Sequence, residues 1–523
     1  MEFINSDRFL ITQCKRRNFL LGAGFLTGLA VASQLRPVMA QTRFSGYPFS
    51  LGVASGDPLP DSVVLWTRLA PDPLNGGGVS PINIPVQWRI AKDENLTQVV
   101  QQGTVIATPE LGHSVHVDVR GLEPERWYWY QFQVGNEVSP IGRTRTAPAL
   151  FSSVQKLNFA FVSCQDWQNG YYTAYKHMAD EELDLVVHLG DYIYEYGPQS
   201  GGPRQHNSPE IVTLADYRNR HALYKTDQNL QAVHAAFPWI VTWDDHEVEN
   251  NYANFIPEDN QSQQAFVTRR ANAYQAYYEH MPLRLSSLPK KASMQLYRRL
   301  TFGDLAEFNV LDTRQYRTDQ PCNDGLKPLC NAALDSKATM TGARQEGWLL
   351  RGLDQSKARW NVIAQQTMLA QVDFNADPGV QLFNVDQWDG YVAARNRLLN
   401  FLNQRKPSNP IVITGDIHSS WVHDLKSDFN NPLSATVGTE FVGTSITSDF
   451  PTSFIRPVQA ALRDNPHIKF FDGAFRGYVR CQLTQERWQS DYRAVSTITE
   501  ENASISTLAS FVVENGQPGA KKV

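Results

Sequence analysis

The chain has 523 residues, enough for two or more domains with a large hydrophobic core. Hydrophobic residues make up 42% and aromatic residues 11% of the sequence, which is typical of folded proteins and excludes a largely disordered chain. The formal net charge is -5, and this acidic balance argues against a nucleic-acid-binding surface. We therefore expect a folded protein that forms no stable complex with nucleic acid.

The first forty residues have the pattern of a targeting segment. Lys15, Arg16 and Arg17 precede an apolar stretch that begins at Leu20, and residues 38–40 offer a cleavage site. Twin arginines before a moderately apolar run resemble a bacterial twin-arginine export signal. The alternative is a plain membrane anchor, but the run is short for a bilayer span. We predict that residues 1–40 direct export by the twin-arginine translocase to the periplasm or the exterior, leaving no transmembrane segment in the mature chain.

Residues 44–147 are predicted to form a small all-β domain. Strand-like runs cover residues 63–68, 86–90, 114–119 and 127–134, and turn signals such as Asp57-Pro58 and residues 75–78 separate them. Several short strands at this spacing are typical of a β-sandwich of the fibronectin type III or immunoglobulin-like kind. Nothing in the region indicates chemistry, so we expect it to be structural or to shape the substrate site.

Residues 155–490 are predicted to form a layered α/β domain, because strands alternate with helical stretches. The helices are expected at residues 171–182, 263–280 and 388–404. The strands are expected at residues 158–162, 185–189, 239–243, 305–311, 360–365 and 410–414. A loop over residues 319–343 holds Cys322 and Cys330, which could pair after export, although the sequence does not decide it. Residues 491–523 are interpreted as a polar C-terminal tail.

Four of these strands end in side chains that bind metals or transfer protons. They are Cys164; Asp191 with Tyr194; Asp244, Asp245 and His246; and Asp416 with His418. A single Gly-Asp after a strand is often only a turn. Four such ends meet, however, if the strands share one sheet edge, where open α/β sheets keep their sites. The sequence therefore predicts a metal site at this edge.

The ligand types suggest which metals bind. Thiolate, phenolate, carboxylate and imidazole together favour a transition ion, and ferric iron suits phenolate. The remaining carboxylates, Asp245 and Asp416, are hard oxygen ligands that suit calcium, magnesium or manganese, and Asp191 is placed to bridge. Paired metals of this kind activate water and clamp the attacking and leaving oxygens of a displacement at phosphorus.

This motif set resembles the calcineurin-like metallophosphoesterases and, within them, the PhoD-type alkaline phosphatases and phosphodiesterases. The broad superfamily reads Asp-x-His, Gly-Asp-x-x-Asp, Gly-Asn-His-Asp/Glu and Gly-His-x-His at the four strand ends. Here Cys164, Tyr194, Asp245 and Asp416 replace an aspartate, an aspartate, an asparagine and a histidine of that pattern. These four departures agree with the PhoD-type pattern.

The resemblance implies a fold, cofactors and an activity. The fold is a two-sheet α/β sandwich catalytic domain preceded by the small all-β sandwich domain. The activity is hydrolysis of phosphate mono- and diesters at alkaline pH outside the cytoplasm, with Fe(3+) and Ca(2+). Iron would be held by Cys164, Asp191, Tyr194 and His418, with Asp191 bridging. Calcium would be held by Asp245 and Asp416, with Asn250 or Asn251 as an additional candidate ligand.

Asp191 and His246 are the predicted catalytic residues. His246 either binds phosphate or protonates the leaving oxygen, or it only orients its neighbours, and both interpretations stay open. Arg314 is a weaker candidate for a phosphate contact, and pairing with a carboxylate is the preferred interpretation.

Three functions fit this sequence. The first is a secreted hydrolase of small phosphate esters that scavenges phosphate. The second is a phospholipase D-like diesterase that acts on lipid head groups, with phosphodiester polymers as further possible substrates. The third is a non-catalytic surface binding protein, against which the intact ligand set argues. The sequence leaves open the natural substrate, the preference for mono- or diesters, the metals loaded in the cell and the oligomeric state.

Overall fold

The structure is a computed structural model that describes residues 44–258, 261–377 and 379–523. The predicted export signal, residues 1–40, lies outside the described residues. No helix within the described ranges is both long and apolar enough to cross a membrane.

The strands of the described residues are numbered in chain order. They are β1 (Val53–Leu59), β2 (Ser62–Arg68), β3 (Ile84–Ala91), β4 (Val99–Ala107), β5 (Ser114–Arg120), β6 (Trp127–Val134), β7 (Glu137–Val138), β8 (Gly142–Arg145), β9 (Leu157–Val162), β10 (Leu185–His188), β11 (Pro238–Val241), β12 (Arg298–Phe302), β13 (Ala306–Val310), β14 (Leu326–Lys327), β15 (Trp360–Ala364), β16 (Phe383–Asn384), β17 (Pro410–Thr414), β18 (Ser420–Lys426), β19 (Thr436–Val442), β20 (Ile468–Asp472), β21 (Arg476–Leu483), β22 (Arg487–Val495), β23 (Ile505–Glu514) and β24 (Gln517–Lys522).

The α-helices are numbered in the same way. They are α1 (Thr173–Ala179), α2 (Leu214–Lys225), α3 (Gln228–Ala236), α4 (Gln263–His280), α5 (Gly342–Gln355), α6 (Val392–Arg405) and α7 (Thr452–Ala461). The predicted helix over residues 263–280 therefore has the observed bounds. Its N-terminus is capped by the Ser262 side chain, which accepts a hydrogen bond from the backbone of Ala265.

Two large sheets form the body of the molecule. One has ten strands in the order β24-β23-β22-β21-β9-β10-β11-β1-β2-β5, and the other has seven in the order β12-β13-β15-β17-β19-β18-β20. Apolar side chains from both sheets form one core, with Phe159 and Phe161 from the first and Phe308, Trp360 and Phe441 from the second. Burial of this shared core holds the sheets face to face, and the predicted two-sheet α/β sandwich is confirmed.

The N-terminal region is rich in strands, as predicted, and it shares a sheet with the rest of the chain. Strands β3, β4, β6, β7 and β8 form a small sheet of their own. Strands β1, β2 and β5 instead extend the ten-stranded sheet, because β1 pairs in parallel with β11 at Ser55 and Gly56. Apolar residues such as Leu65 and Phe132 fill the space between the small sheet and this extension.

The C-terminal segment, predicted as a polar tail over residues 491–523, is not a tail. It contributes most of β22 and all of β23 and β24, which form one edge of the ten-stranded sheet. Ala509, Phe511 and Val513 lie two residues apart on one face of β23 and pack into the shared core. The polar average of the segment comes from the turns between these strands and from β24, an edge strand that is mostly exposed.

The carboxyl ends of parallel strands position the site. Strands β9, β10 and β11 are neighbours and parallel, and β17 belongs to the facing sheet. Two glycines let the loops after these strands approach closely. A side chain at Gly190 would collide with Asp244, and one at Gly415 would collide with Ser163.

Candidate metal centre

The predicted ligand residues sit directly after the strands in an uncommon backbone conformation. The φ angles are 58° at Cys164, 56° at Asp191, 63° at Asp416 and 55° at His418. Left-handed non-glycine residues of this kind cost about 1–3 kcal/mol each and concentrate at functional sites. Four of them on three converging loops indicate that these side chains are held in place for a function.

The first group of donors contains the four predicted iron ligands. One donor atom each of Cys164, Asp191 and His418 lies within 4.8 Å of the others. The phenol oxygen of Tyr194 is 3.1 Å from Asp191 Oδ2 and 3.2 Å from His418 Nε2. His418 Nδ1 donates to the carbonyl of Asp449 at 2.9 Å, which leaves Nε2 as the lone-pair nitrogen facing the group.

The second group of donors consists mainly of carboxylates. Asp191, Asp245 and His246 lie within the same 4.8 Å limit, and so do Asp244, Asp245 and Asp416. Asp191 therefore belongs to both groups. Asp244 joins this group although the sequence analysis assigned it no ligand role.

The two candidate asparagines lie at the edge of the second group. Asn250 and Asn251 line the same cavity as Asp245. The backbone N–H of Asn251 donates to Asp245 Oδ2 at 2.6 Å, and its side-chain amide donates to Asp324 at 2.7 Å. The contacts of Asn251 thus fix the orientation of the Asp245 carboxylate through the backbone.

Arg314 is enclosed by the carboxylates of the second group. The guanidinium is fully buried, contacts Asp244, and lies 3.0 Å from Asp386 and 2.9 Å from Asp416. Arg317 also pairs with Asp386, at 2.7 Å. These contacts match the preferred interpretation of Arg314 as a carboxylate partner. Asp386 and Arg317 were missed, because Asp386 lies in an irregular loop and carries no motif signal.

Two buried glutamates next to the motif residues organise the loops. Glu247 accepts backbone N–H groups from Asp191 at 3.1 Å, Tyr192 at 2.6 Å and Asp244 at 2.8 Å, so it ties the loops after β10 and β11 together. Glu195 accepts from His246 Nδ1 at 2.7 Å. Both were missed although each adjoins a predicted site residue, because motif comparison identifies ligands rather than the groups that orient them.

Burial and mutual repulsion oppose charge on the first group. Burial, and then the charge of Asp191, raise the pKa of the Cys164 thiol and of the Tyr194 phenol well above their ordinary values. Burial likewise raises the pKa of Asp191 well above its ordinary value, and neighbouring carboxylates including Asp245 add to the shift. Burial lowers the pKa of His418 to about 4. A bound cation would reverse these penalties and stabilise thiolate, phenolate and carboxylate.

Charges in the second group are partly balanced by the protein. Burial alone would raise the pKa of Asp245, but Arg314 and His246 outweigh it and hold the pKa below its usual range. The pKa of His246 is raised well above its ordinary value, because Glu195 and Asp245 outweigh burial.

Three carboxylate oxygens of the centre are buried without a hydrogen-bond partner: Asp191 Oδ1, Asp244 Oδ2 and Asp245 Oδ1. An unpaired buried acceptor costs about 1–3 kcal/mol or more when charged, so such atoms need a cation or another donor. The centre opens into a cavity of about 340 Å³ that Asp191, Asp245, Asp416 and His418 line. The donor set therefore fits metal ions that a small substrate can reach.

A two-sheet α/β sandwich with such donors at its strand ends is the arrangement expected of a metal-dependent phosphoesterase. The sequence matches the PhoD-like phosphatase family over residues 159–492 and the N-terminal domain of PhoD-like phosphatases over residues 32–148. This chain belongs to the PhoD-like phosphatase family, as its motifs predicted.

Relatives of the chain agree with this membership over nearly its full length. It is 55% identical over 532 residues to alkaline phosphatase D of Bacillus subtilis (strain 168), covering 99% of this chain and 91% of that protein. It also matches a solved structure of PhoD with a TM-score of 0.89 and 56% identity, covering 92% of this chain and 93% of that one. The chain is thus a phosphoester hydrolase, and the solved structure of PhoD has the same fold.

Proposed function

We propose that this phosphatase hydrolyses phosphate mono- and diesters at a two-metal centre and serves phosphate scavenging. The observation that carries the proposal is the pair of donor groups that share Asp191. A bridging carboxylate between two unlike donor sets is the arrangement that holds two different cations close together.

Ferric iron is assigned to Cys164, Asp191, Tyr194 and His418, and calcium to Asp245 and Asp416 with Asp191 between them. The thiol and phenol of the first set bind as anions, which suits a strong Lewis acid, and the second set offers only carboxylate oxygen. Asp191 Oδ1, which has no hydrogen-bond partner, supports both assignments, and Asp245 Oδ1 also accepts no hydrogen bond although Arg314 Nη2 lies 3.5 Å away. Asp244 Oδ2 is a further unpartnered oxygen beside the calcium set.

When bound, the metal pair supplies a water-derived nucleophile and neutralises phosphate charge. The protein positions His246 for proton transfer, because Glu195 engages Nδ1 and leaves Nε2 for the cavity that His246 lines. Its Nε2–H can pass a proton to the departing alcohol oxygen. Arg314 stays with its carboxylates and holds Asp416 in place, so we assign it no phosphate contact.

Metal removal tests the hydrolase proposal. The purified protein is assayed with p-nitrophenyl phosphate and bis(p-nitrophenyl) phosphate before and after chelation, and again with iron and calcium restored. We expect both activities to disappear with chelator and to return only when both metals are present. Activity that survives complete metal removal would overturn the two-metal centre.

His246→Gln separates the two interpretations of His246. A residue that protonates the leaving oxygen matters most when the alcohol leaves poorly, so hydrolysis of an alkyl phosphate should fall at least about 100-fold while that of p-nitrophenyl phosphate falls much less. An equal loss for both esters would assign His246 an orienting role only. The variant replaces none of the proposed metal ligands, and because His246 packs against Tyr194, its iron and calcium contents are measured beside the wild type.

The other two candidate functions are weighed against this proposal by direct assays. Unpartnered buried carboxylates in a phosphatase family member favour catalysis over a binding protein. The metal ligands do not distinguish a lipid head group from another diester. Release of choline from phosphatidylcholine vesicles at a rate above that for small diesters would favour the phospholipase D-like function.

We propose export by the twin-arginine route to the periplasm or the exterior. The sequence pattern of residues 15–40 supports it, and so does the disulfide between Cys322 and Cys330, since disulfides persist in oxidising compartments. Replacing Arg16 and Arg17 by lysine should retain the protein in the cytoplasm, as measured by cell fractionation. Unchanged export would contradict this route.

A further inference from the structure

An apolar wall lies beside the metal centre. The apolar residues that line the same cavity as Asp191 and Asp416 include Leu326, Phe374, Phe450, Phe454 and Val458, which form this wall. They come from three separate stretches of the chain. Single exposed apolar residues are ordinary on a protein surface, but a group that converges on a cavity with a few polar groups marks a ligand-binding surface.

Phe454 is the most exposed part of this wall, with 43% of its surface accessible. It lies in the first turn of α7, a helix that buries only Val458 and Ala461. The helix begins three residues after Asp449, whose carbonyl accepts the Nδ1–H of His418. One short loop therefore carries both the residue that orients the His418 imidazole and the start of the helix that holds Phe454.

Leu326 brings a second stretch to the wall. It is 37% exposed and lies in the loop that the Cys322–Cys330 disulfide closes. Strand β14, which contains Leu326, pairs with β16 through Leu326 and Lys327. The cross-link and the two-stranded sheet thus anchor Leu326 beside Asp324, which lines the same cavity.

Contact with apolar side chains does not stabilise a charged phosphate group. The wall is therefore suited to the alcohol part of the ester. We propose that Phe454 and Leu326 are specificity-determining residues, which select phosphate esters whose alcohol carries an aromatic or bulky aliphatic group next to the ester oxygen. The inference rests on the proposed function, because it concerns substrates of the same centre. Burial of the organic group against the wall favours such esters over esters of small polyols.

Two esters of primary alcohols test the proposal with leaving groups of similar reactivity. The metal-loaded protein is assayed with benzyl phosphate and with glycerol 1-phosphate, and the ratio of their kcat/KM values is compared between variants. We expect a ratio of at least about ten in the wild type, because apolar contacts of this size change specificity by about 10–200-fold. Phe454→Ala should lower the ratio about tenfold, Leu326→Ala severalfold, and Phe454→Tyr should retain it.

Phe151→Ala is the matched control, because Phe151 is 73% exposed and does not line the cavity. It should leave the ratio unchanged. A wild-type ratio near one, or an equal loss of both activities in Phe454→Ala, would overturn the proposal. Failure of the metal-loaded wild type to hydrolyse either ester would instead overturn the hydrolase proposal, and this is visible before any variant is made.

Discussion

The two halves of the metal centre differ in how their buried negative charges are balanced. The thiol side contains Cys164, Tyr194 and His418, and the carboxylate side contains Asp244, Asp245 and Asp416. On the carboxylate side Arg314 supplies a positive charge within the protein. Among the residues that the structure describes, no arginine or lysine forms an ion pair with Asp191, which links the two sides.

This difference assigns the metals different parts in the stability of the protein. The carboxylate side has its own countercharge and can keep its geometry before a cation arrives. The thiol side has high pKa values for its thiol and phenol, so it gains its negative charge only with a cation. We therefore expect the carboxylate side to keep its geometry without metal. The thiol side should reach its negatively charged form only when metal binds.

Removing the positive charge of Arg314 should have the largest effect on the stability of the carboxylate side. Arg314→Met leaves buried carboxylates without their partner, and breaking a buried pair in this way costs about 3–5 kcal/mol. We expect the free energy of unfolding of the metal-free protein to fall by that amount, measured by urea denaturation. Arg405→Met, which breaks the exposed pair with Asp354, is the control and should cost less than about 1 kcal/mol. Equal losses would contradict a structural role for Arg314.

The pH dependence of metal-free stability should reveal the carboxylates whose burial outweighs any countercharge. Burial raises the folded-state pKa of Asp191 and Asp244 above the unfolded value of about 3.9. The stability contributed by their protonated forms is complete below that value and is lost as pH rises through the folded-state pKa. Added iron and calcium should therefore raise Tm more at pH 8 than at pH 5. The Tm is measured by thermal denaturation with and without the metals at both pH values. A metal-induced shift that is equal at both pH values would contradict this account.

The sequence identified the donor side chains that converge at the centre better than the residues that orient them. Asp191 and Asp416 were identifiable because each follows an apolar strand, and that signal is local. Asp386 comes from an irregular loop far along the chain, and its role depends on tertiary contacts that no local pattern records. Segment 491–523 was misinterpreted for a different reason, since its turns and the mostly exposed edge strand β24 give it a polar average composition.

Replacement of Ser448 should have a smaller effect, which is confined to the thiol side. Its hydroxyl lies 2.6 Å from the phenol oxygen of Tyr194 and 2.8 Å from the carbonyl of Cys164. Ser448→Ala removes an oriented polar neighbour of the proposed iron ligand, and such supports are worth about 10–100-fold in metal affinity. We expect iron affinity to fall by about tenfold, by competition with a chelator, while calcium affinity stays unchanged. A matching loss of calcium affinity would mean that the two sides are not independent.

The most direct test of the account is the metal content of the exported protein, measured together with its visible spectrum in the wild type and in Tyr194→Phe. The account predicts about one equivalent of iron, together with calcium, and a broad phenolate-to-iron absorption band in the wild type that is absent from the variant. A band that persists in Tyr194→Phe, or zinc or manganese in place of iron, would contradict the assignment of the thiol side.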